Sequence, residues 1–274
     1  MPTVVVAPQW QGSASPVAQR LTDGAREPAG LVPDTTLIRP RSSNGRASPA
    51  GACGTPASSR RTSPRSAGRS PPPATGPRSP SAATAASNPP RSSGPARGGR
   101  LAVVRFDAHG DLNTPGTAPS GGFHGMVLRA LPGEAPDGLG PHPGGTLDPG
   151  HVVLAGPRAL DPGEIDHIDR HRLRHLTVAD LADPARPTGA AAATGAQAVY
   201  LHIDLDVLDP ERGGLTPAAL TAAVRALAER FTVAGLGITE YLPTRPADRD
   251  LLAEPIPGLV AAVAGAPAPG PREP

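Results

Sequence analysis

The side chains that could do chemistry gather in two short stretches. Asp107, His109 and Asp111 follow the apolar run Leu101–Phe106, and Asp204 and Asp206 follow the apolar run 199–203. Both runs are rich in apolar and β-branched residues and read as buried strands. If extended backbone continues past Phe106, the alternate spacing turns Asp107, His109 and Asp111 to one side, and Asp204 and Asp206 share a side in the same way. Four carboxylates and an imidazole converging on one point would repel or stay unpaired without a cation between them. An oxygen-rich set with one imidazole suits a borderline-hard divalent ion such as Mn(II) better than a thiolate metal. Each stretch has an ordinary reading too: an aspartate after a strand can cap the next helix, and His109 can be a loop histidine. Two such stretches in one chain favour the metal reading.

The elements that must position these groups follow from pattern. In open α/β sheets, ligands bind just beyond the carboxyl ends of strands. The spacing predicts further strands at His151–Gly156, Arg174–Val178 and Phe231–Ile238. Asp161, Pro162 and Glu164 read as N-cap, first helical residue and capping-box partner of a helix. Thr216 and Pro217 open another helix, with Leu220, Val224 and Leu227 on one face. Asp250–Val263 reads as a last helix broken by Pro255 and Pro257. Strands alternating with helices imply a three-layer α/β/α sandwich with a mainly parallel sheet, incomplete in its first third. His167, His171 and His175 read as surface residues, because no carboxylate motif converges on them.

The motifs, taken in order, resemble the ureohydrolases, the arginase and agmatinase family. The resemblance rests on Asp107-Ala108-His109-Gly110-Asp111-Leu112-Asn113, Ser120-Gly121-Gly122-Phe123-His124-Gly125-Met126, Asp204-Leu205-Asp206-Val207-Leu208-Asp209-Pro210 and Ile238-Thr239-Glu240-Tyr241. It spans Leu101 to about Leu259, and more weakly Met1 to Ile38. The His124-Gly125-Met126 run is similar to arginases rather than agmatinases. The resemblance implies two Mn(II) ions bridged by hydroxide, which attacks a guanidinium carbon and releases urea, with L-arginine as substrate and ornithine as product. It makes Asp107, His109, Asp111, Asp204 and Asp206 the metal ligands, and it makes Asp111, His124 and Glu240 catalytic. His124 would shuttle a proton and Glu240 would receive the guanidinium. Asn113, Ser120 and Asp161 would hold the amino-acid end, though Gly122 stands where arginases usually carry Asn. Trimers or hexamers are implied as well.

Composition divides the chain. Residues 1–38 read as strand, helix, strand: Thr3–Ala7, Ser15–Ala25 and Thr35–Ile38, with Trp10 as packing. Residues 39–100 contain no Val, Ile, Leu, Met, Phe, Trp or Tyr. Such a segment cannot bury enough apolar surface to offset its conformational entropy and reads as disordered. Residues 101–265 form the metal-binding core, and 266–274 a disordered tail. The resemblance places a helix, a strand and a Gly-Gly-Asp-His turn in the 39–100 region, yet no histidine precedes His109. One GC-rich coding of Ala82–Asn88, shifted by a base, reads Gly-Gly-Asp-Cys. We therefore expect residues of about 39–99 to be translated in a shifted frame, which resequencing the gene decides. Without the first metal ligand, the expected enzyme is impaired. The competing expectations are a degenerate metal-binding member of the fold and a deacetylase-like metal hydrolase.

The remaining composition excludes more than it assigns. All 26 basic residues are Arg, and the formal charge of +2 is too small to argue for a nucleic-acid partner. Arginine without interleaved aromatics offers no stacking platform for bases. The one cysteine, Cys53, excludes an intramolecular disulfide framework. No apolar run reaches spanning length, so a cytoplasmic protein with no membrane partner and a small guanidino substrate is expected.

Overall fold

The computed structural model describes residues 3–5, 28, 31, 36–38, 100–134, 147–208, 212–241, 250–253 and 255–265. The expected helix at 15–25, Trp10, nearly all of the 39–100 segment with Cys53 and the shifted-frame stretch, and the 266–274 tail lie outside them.

Among the described residues, parallel strands build two sheets. The first pairs β1 (Thr3–Val5) with β2 (Thr36–Ile38). The second has five strands: β3 (Leu101–Phe106), β4 (Val152–Ala155), β5 (Arg174–Leu176), β6 (Ala198–Asp204) and β7 (Thr232–Thr239), in the order β5-β4-β3-β6-β7. All four pairings are parallel. After β3 the chain moves outward through β4 and β5, then returns to the other side of β3 as β6. The strand order therefore reverses between β3 and β6, where open α/β sheets form their ligand crevice.

The helices are α1 (Val127–Ala130), α2 (Pro162–His171), α3 (Ala185–Ala192), α4 (Pro217–Arg230), α5 (Asp250–Ala253) and α6 (Pro255–Ala264). One face of the large sheet presents Ala102, Val104, Phe106, Val199, Leu201 and Ile203 to Leu220, Val224 and Leu227 of α4 and Leu259 of α6. The other face sets Val152 and Leu154 against Leu128, Leu131, Ile168 and Leu173. Helical layers on both faces make the three-layer α/β/α sandwich that strand–helix alternation predicts.

Local chemistry explains the helix starts. The Thr216 hydroxyl accepts the Ala219 N–H at 3.2 Å, with Pro217 at the first position of α4. At α2, the Glu164 carboxylate accepts the Asp161 N–H at 2.9 Å. The last helix, expected to break at Pro255 and Pro257, is described as Asp250–Ala253 and Pro255–Ala264. Pro257 lies in the first turn of α6, where a missing N–H costs nothing.

The surface reading of the histidines fails at one position. His171 and His175 are exposed, but His167 is only 2% exposed. Its ring lies 4.3 Å from that of His171. The pattern from Ile165 onward gave no warning, because helical phase turns Ile165 out to solvent and His167 in with Ile168.

Candidate metal centre

The site stands at the carboxyl ends of β3 and β6, beside the reversal of strand order. Extended backbone does not continue past Phe106, as the alternate spacing supposed. The chain bends at Ala108 and His109, and Asp111 adopts φ 52°. A left-handed conformation at a non-glycine residue is strained and is held by its surroundings. Here the clamp is Glu164, which is 2% exposed and also accepts the Leu112 N–H at 2.9 Å. One buried carboxylate thus ties the loop after β3 to the start of α2. Gly110 permits this approach, since a Cβ there would sit 2.9 Å from a Glu164 oxygen.

One ligand atom each from Asp107, His109 and Asp206 lies within 4.8 Å of the others. His109 Nδ1 is 2.9 Å from Asp206 Oδ2 and 3.5 Å from Asp107 Oδ1. Asp206 comes from a 3₁₀ turn at Leu205–Leu208. The Ala108 N–H donates to Asp206 Oδ1 at 3.1 Å, and Arg158 Nη2 donates to its carbonyl at 2.8 Å. These bonds bring the ends of two strands together. Two carboxylates and one imidazole at this separation fit a single divalent cation of the Mn(II) type.

The other two aspartates are placed differently. Asp204 ends β6, 5% exposed, with the Thr239 hydroxyl at 3.4 Å. Asp111 pairs with Arg105. Arg105 sits in the middle of β3 at 4% exposure and also holds Asp107 Oδ2, through Nε at 2.8 Å and Nη2 at 2.6 Å. Pattern reasoning passed over Arg105 as part of an apolar run. A charged residue two positions before Asp107, on the same strand face, was the signal that could have found it.

The electrostatics follow from burying so many acids. Burial raises the carboxyl of Asp204 well above its usual range, and the charges of Asp107 and Asp206 add to this. Asp111 is raised too, first by burial and then by Asp107, against the pull of Arg105. Burial works against Asp107 as well, but the Arg105 charge and the hydrogen bonds from His109 keep it below the usual range. His109 is raised to about 11 by hydrogen bonding to Asp107 and then to Asp206. This cluster draws positive charge strongly, and a divalent ion competes with protons for it.

The remaining predicted site residues surround this core. Asn113 Nδ2 donates to Asp161 Oδ2 at 2.8 Å, and its Oδ1 accepts the Thr117 hydroxyl at 2.9 Å. Asn113 and Asp161 are therefore brought together. Ser120 is exposed, its hydroxyl accepting the Gly122 N–H at 3.2 Å. His124 is half-buried in a 3₁₀ turn at Phe123–Met126. Glu240 follows β7 with φ 57°. Its outline is exposed, yet protein atoms crowd its carboxyl. That desolvation raises its pKa, and the nearby charge of His124 opposes the rise. A cavity of about 320 Å³ opens over His109 and Asp206, with Arg158 and Arg212 on its wall. Neither arginine was singled out from sequence, since each stands in a loop without a distinctive motif.

Parallel strands with helices on both faces, and carboxylates at the strand-order reversal, define an α/β domain with a candidate cation site. The chain belongs to the Arginase family, whose family model matches residues 83–254, more than half of it. It is 33% identical over 158 residues to an arginase of Staphylococcus aureus (strain MRSA252), covering 52% of each chain. It is 34% identical over 160 residues to the Bacillus caldovelox arginase, covering 53% of this chain and 54% of that one. The chain thus spans about half the length of these curated relatives. The native B. caldovelox arginase structure superposes with a TM-score of 0.53 at 31% identity, covering 61% of this chain and 60% of that one. The Entamoeba histolytica arginase, solved in complex with L-ornithine, gives 0.54 at 25% identity, covering 62% and 61%. The family and the fold implied by the sequence motifs are both borne out. Among the described residues, no helix is long and apolar enough to cross a membrane.

Proposed function

We propose that this chain is a Mn(II)-dependent hydrolase of a guanidino compound, with L-arginine the substrate and ornithine and urea the products. The observation that carries the reading is the convergence of Asp107, His109 and Asp206 at the ends of β3 and β6, beside Glu240 and His124. The relatives named arginase support it. The chemistry supplied by Mn(II) when bound is Lewis-acid activation of water near neutral pH. Asp107, His109 and Asp206 would hold an ion with Asp204 beside them, and Asp111, a ligand by resemblance, is paired with Arg105.

The chain's own groups supply the rest. Glu240, whose pKa desolvation raises, is the carboxylate partner for a docked guanidinium. His124 gives a proton to the departing amine. The Asn113–Asp161 pair faces the amino-acid end, and Ser120 lies on the exposed rim. The competing reading, a metal-binding member without turnover, is favoured by the buried Arg105 on two of the carboxylates. The family match favours ureohydrolase over deacetylase chemistry.

Urea release from L-arginine by the Mn(II)-loaded chain separates the first two readings. Slow urea release, lost by about 10²-fold or more in His124→Ala, supports the enzyme. No urea from any guanidino compound tested supports the non-catalytic member. Two further readings rest on the sequence alone. Residues of about 39–99 are out of frame, so restoring the frame raises activity. The working assembly is a cytoplasmic trimer or hexamer, which light scattering and fractionation check.

A further inference from the structure

The buried guanidinium of Arg105 takes no part in the catalytic steps above, and its geometry divides Asp107 in two. Oδ2 of Asp107 is taken by Arg105, through Nε at 2.8 Å and Nη2 at 2.6 Å. Oδ1 turns the other way, accepting the His109 N–H at 2.7 Å and lying 3.5 Å from His109 Nδ1. Arg105 Nη2 also reaches Oδ2 of Asp111. The guanidinium therefore lies between Asp107 and Asp111, on the side away from His109 and Asp206. Its neighbour in register on β6 is His202, 2% exposed, whose Nδ1 has no hydrogen-bond partner.

An arginine cannot shed its proton in a protein, and burying it is tolerable only with carboxylates in direct contact. Asp107 and Asp111 meet that need. A divalent ion placed between the same two carboxylates would have to displace the guanidinium or share their oxygens with it, both unfavourable in a buried site. Donor atoms on the far side of Asp107 stay clear of Arg105.

We infer that Arg105 is a built-in cation for Asp107 and Asp111, so that the chain holds one divalent ion, on Asp107 Oδ1, His109 and Asp206, where its relatives' motif implies a pair. The inference rests on the metal reading proposed above. One ion's place is taken by a side chain that carries a single positive charge and cannot leave or bind water.

The test counts ions. The full 274-residue chain, stripped with chelator and shown folded by circular dichroism, is titrated with MnCl₂ and followed by electron paramagnetic resonance and elemental analysis. One Mn(II) per chain, with no spin-coupled pair signal, is expected. Arg105→Gln is expected to take up a second ion and show the coupled signal, while Arg105→Lys stays at one. Should Arg105→Gln fail to fold, Asp111→Asn decides. Asp111 serves Arg105, so the single site should weaken by less than the roughly tenfold that even loss of a supporting group costs. Two ions in the unaltered chain, one ion in folded Arg105→Gln, or a larger loss in Asp111→Asn overturns the inference. No Mn(II) uptake by any form overturns the metal reading itself, a different result from two ions.

Discussion

His167 offers a prediction whose size follows from the structure. Its ring is buried, and Nδ1 has no hydrogen-bond partner. Desolvation, then the charges of Arg129 and His171, lower its pKa from 6.5 to about 4. Between those values the unfolded chain binds a proton that the folded chain does not, so stability rises with pH through this window and is level above it. The full shift corresponds to about 3 kcal/mol. Few atoms wall in the ring beyond its covered surface, so solvent relaxation trims this, and we expect about 2 kcal/mol. The perturbation is His167→Gln, which keeps a polar side chain but cannot titrate. Urea unfolding of both proteins would be measured at steps from pH 7 to pH 4. The stability of the unaltered chain minus that of His167→Gln should fall by about 2 kcal/mol toward the acid end. Proton NMR of the ring gives an independent midpoint. A ring titrating near 6.5, or a difference that stays flat with pH, would refute the burial argument.

Other expectations are more local. Glu164→Ala removes the acceptor for the Leu112 and Asp161 N–H groups and should cost about 2–4 kcal/mol in chemical denaturation; a loss under about 0.5 kcal/mol, typical of a surface change, would show that the clamp is not structural. Leu227→Ala, at a position fully buried against the sheet, should cost about 2–5 kcal/mol by the same assay. Asp206→Asn replaces one of the three converging charged or imidazole ligands by a neutral amide and should weaken Mn(II) binding by at least about tenfold in calorimetric titration, with unchanged affinity pointing to a metal site elsewhere. Glu240→Gln keeps the size of the side chain but not its charge, so KM for L-arginine should rise while Mn(II) affinity holds; equal loss of both would place Glu240 among the ligands.

Much of the scaffold could be read along the chain because it is set by local chemistry. The apolar runs at 101–106 and 199–203 had to be strands buried on both faces, and they are adjacent strands of one sheet. Thr216-Pro217 and Asp161-Pro162 had to start helices, since each pairs a capping side chain with a residue that has no N–H to lose. Asp107, His109 and Asp206 were legible as a candidate cation set because acids recur at two strand ends with an imidazole among them, and they do converge. Three-dimensional placement decided the rest. Whether Asp111 faces an ion or Arg105 depends on a left-handed turn clamped by Glu164, a residue 53 positions further on, and no local pattern contains that contact. His167 turned inward because the phase of α2 against the sheet is a packing outcome, beyond what its neighbours in sequence specify. Residue type alone thus determined which groups could bind a cation. Only tertiary structure decided which of them converge, because charge partners in a buried site are chosen by distance in space, not along the chain.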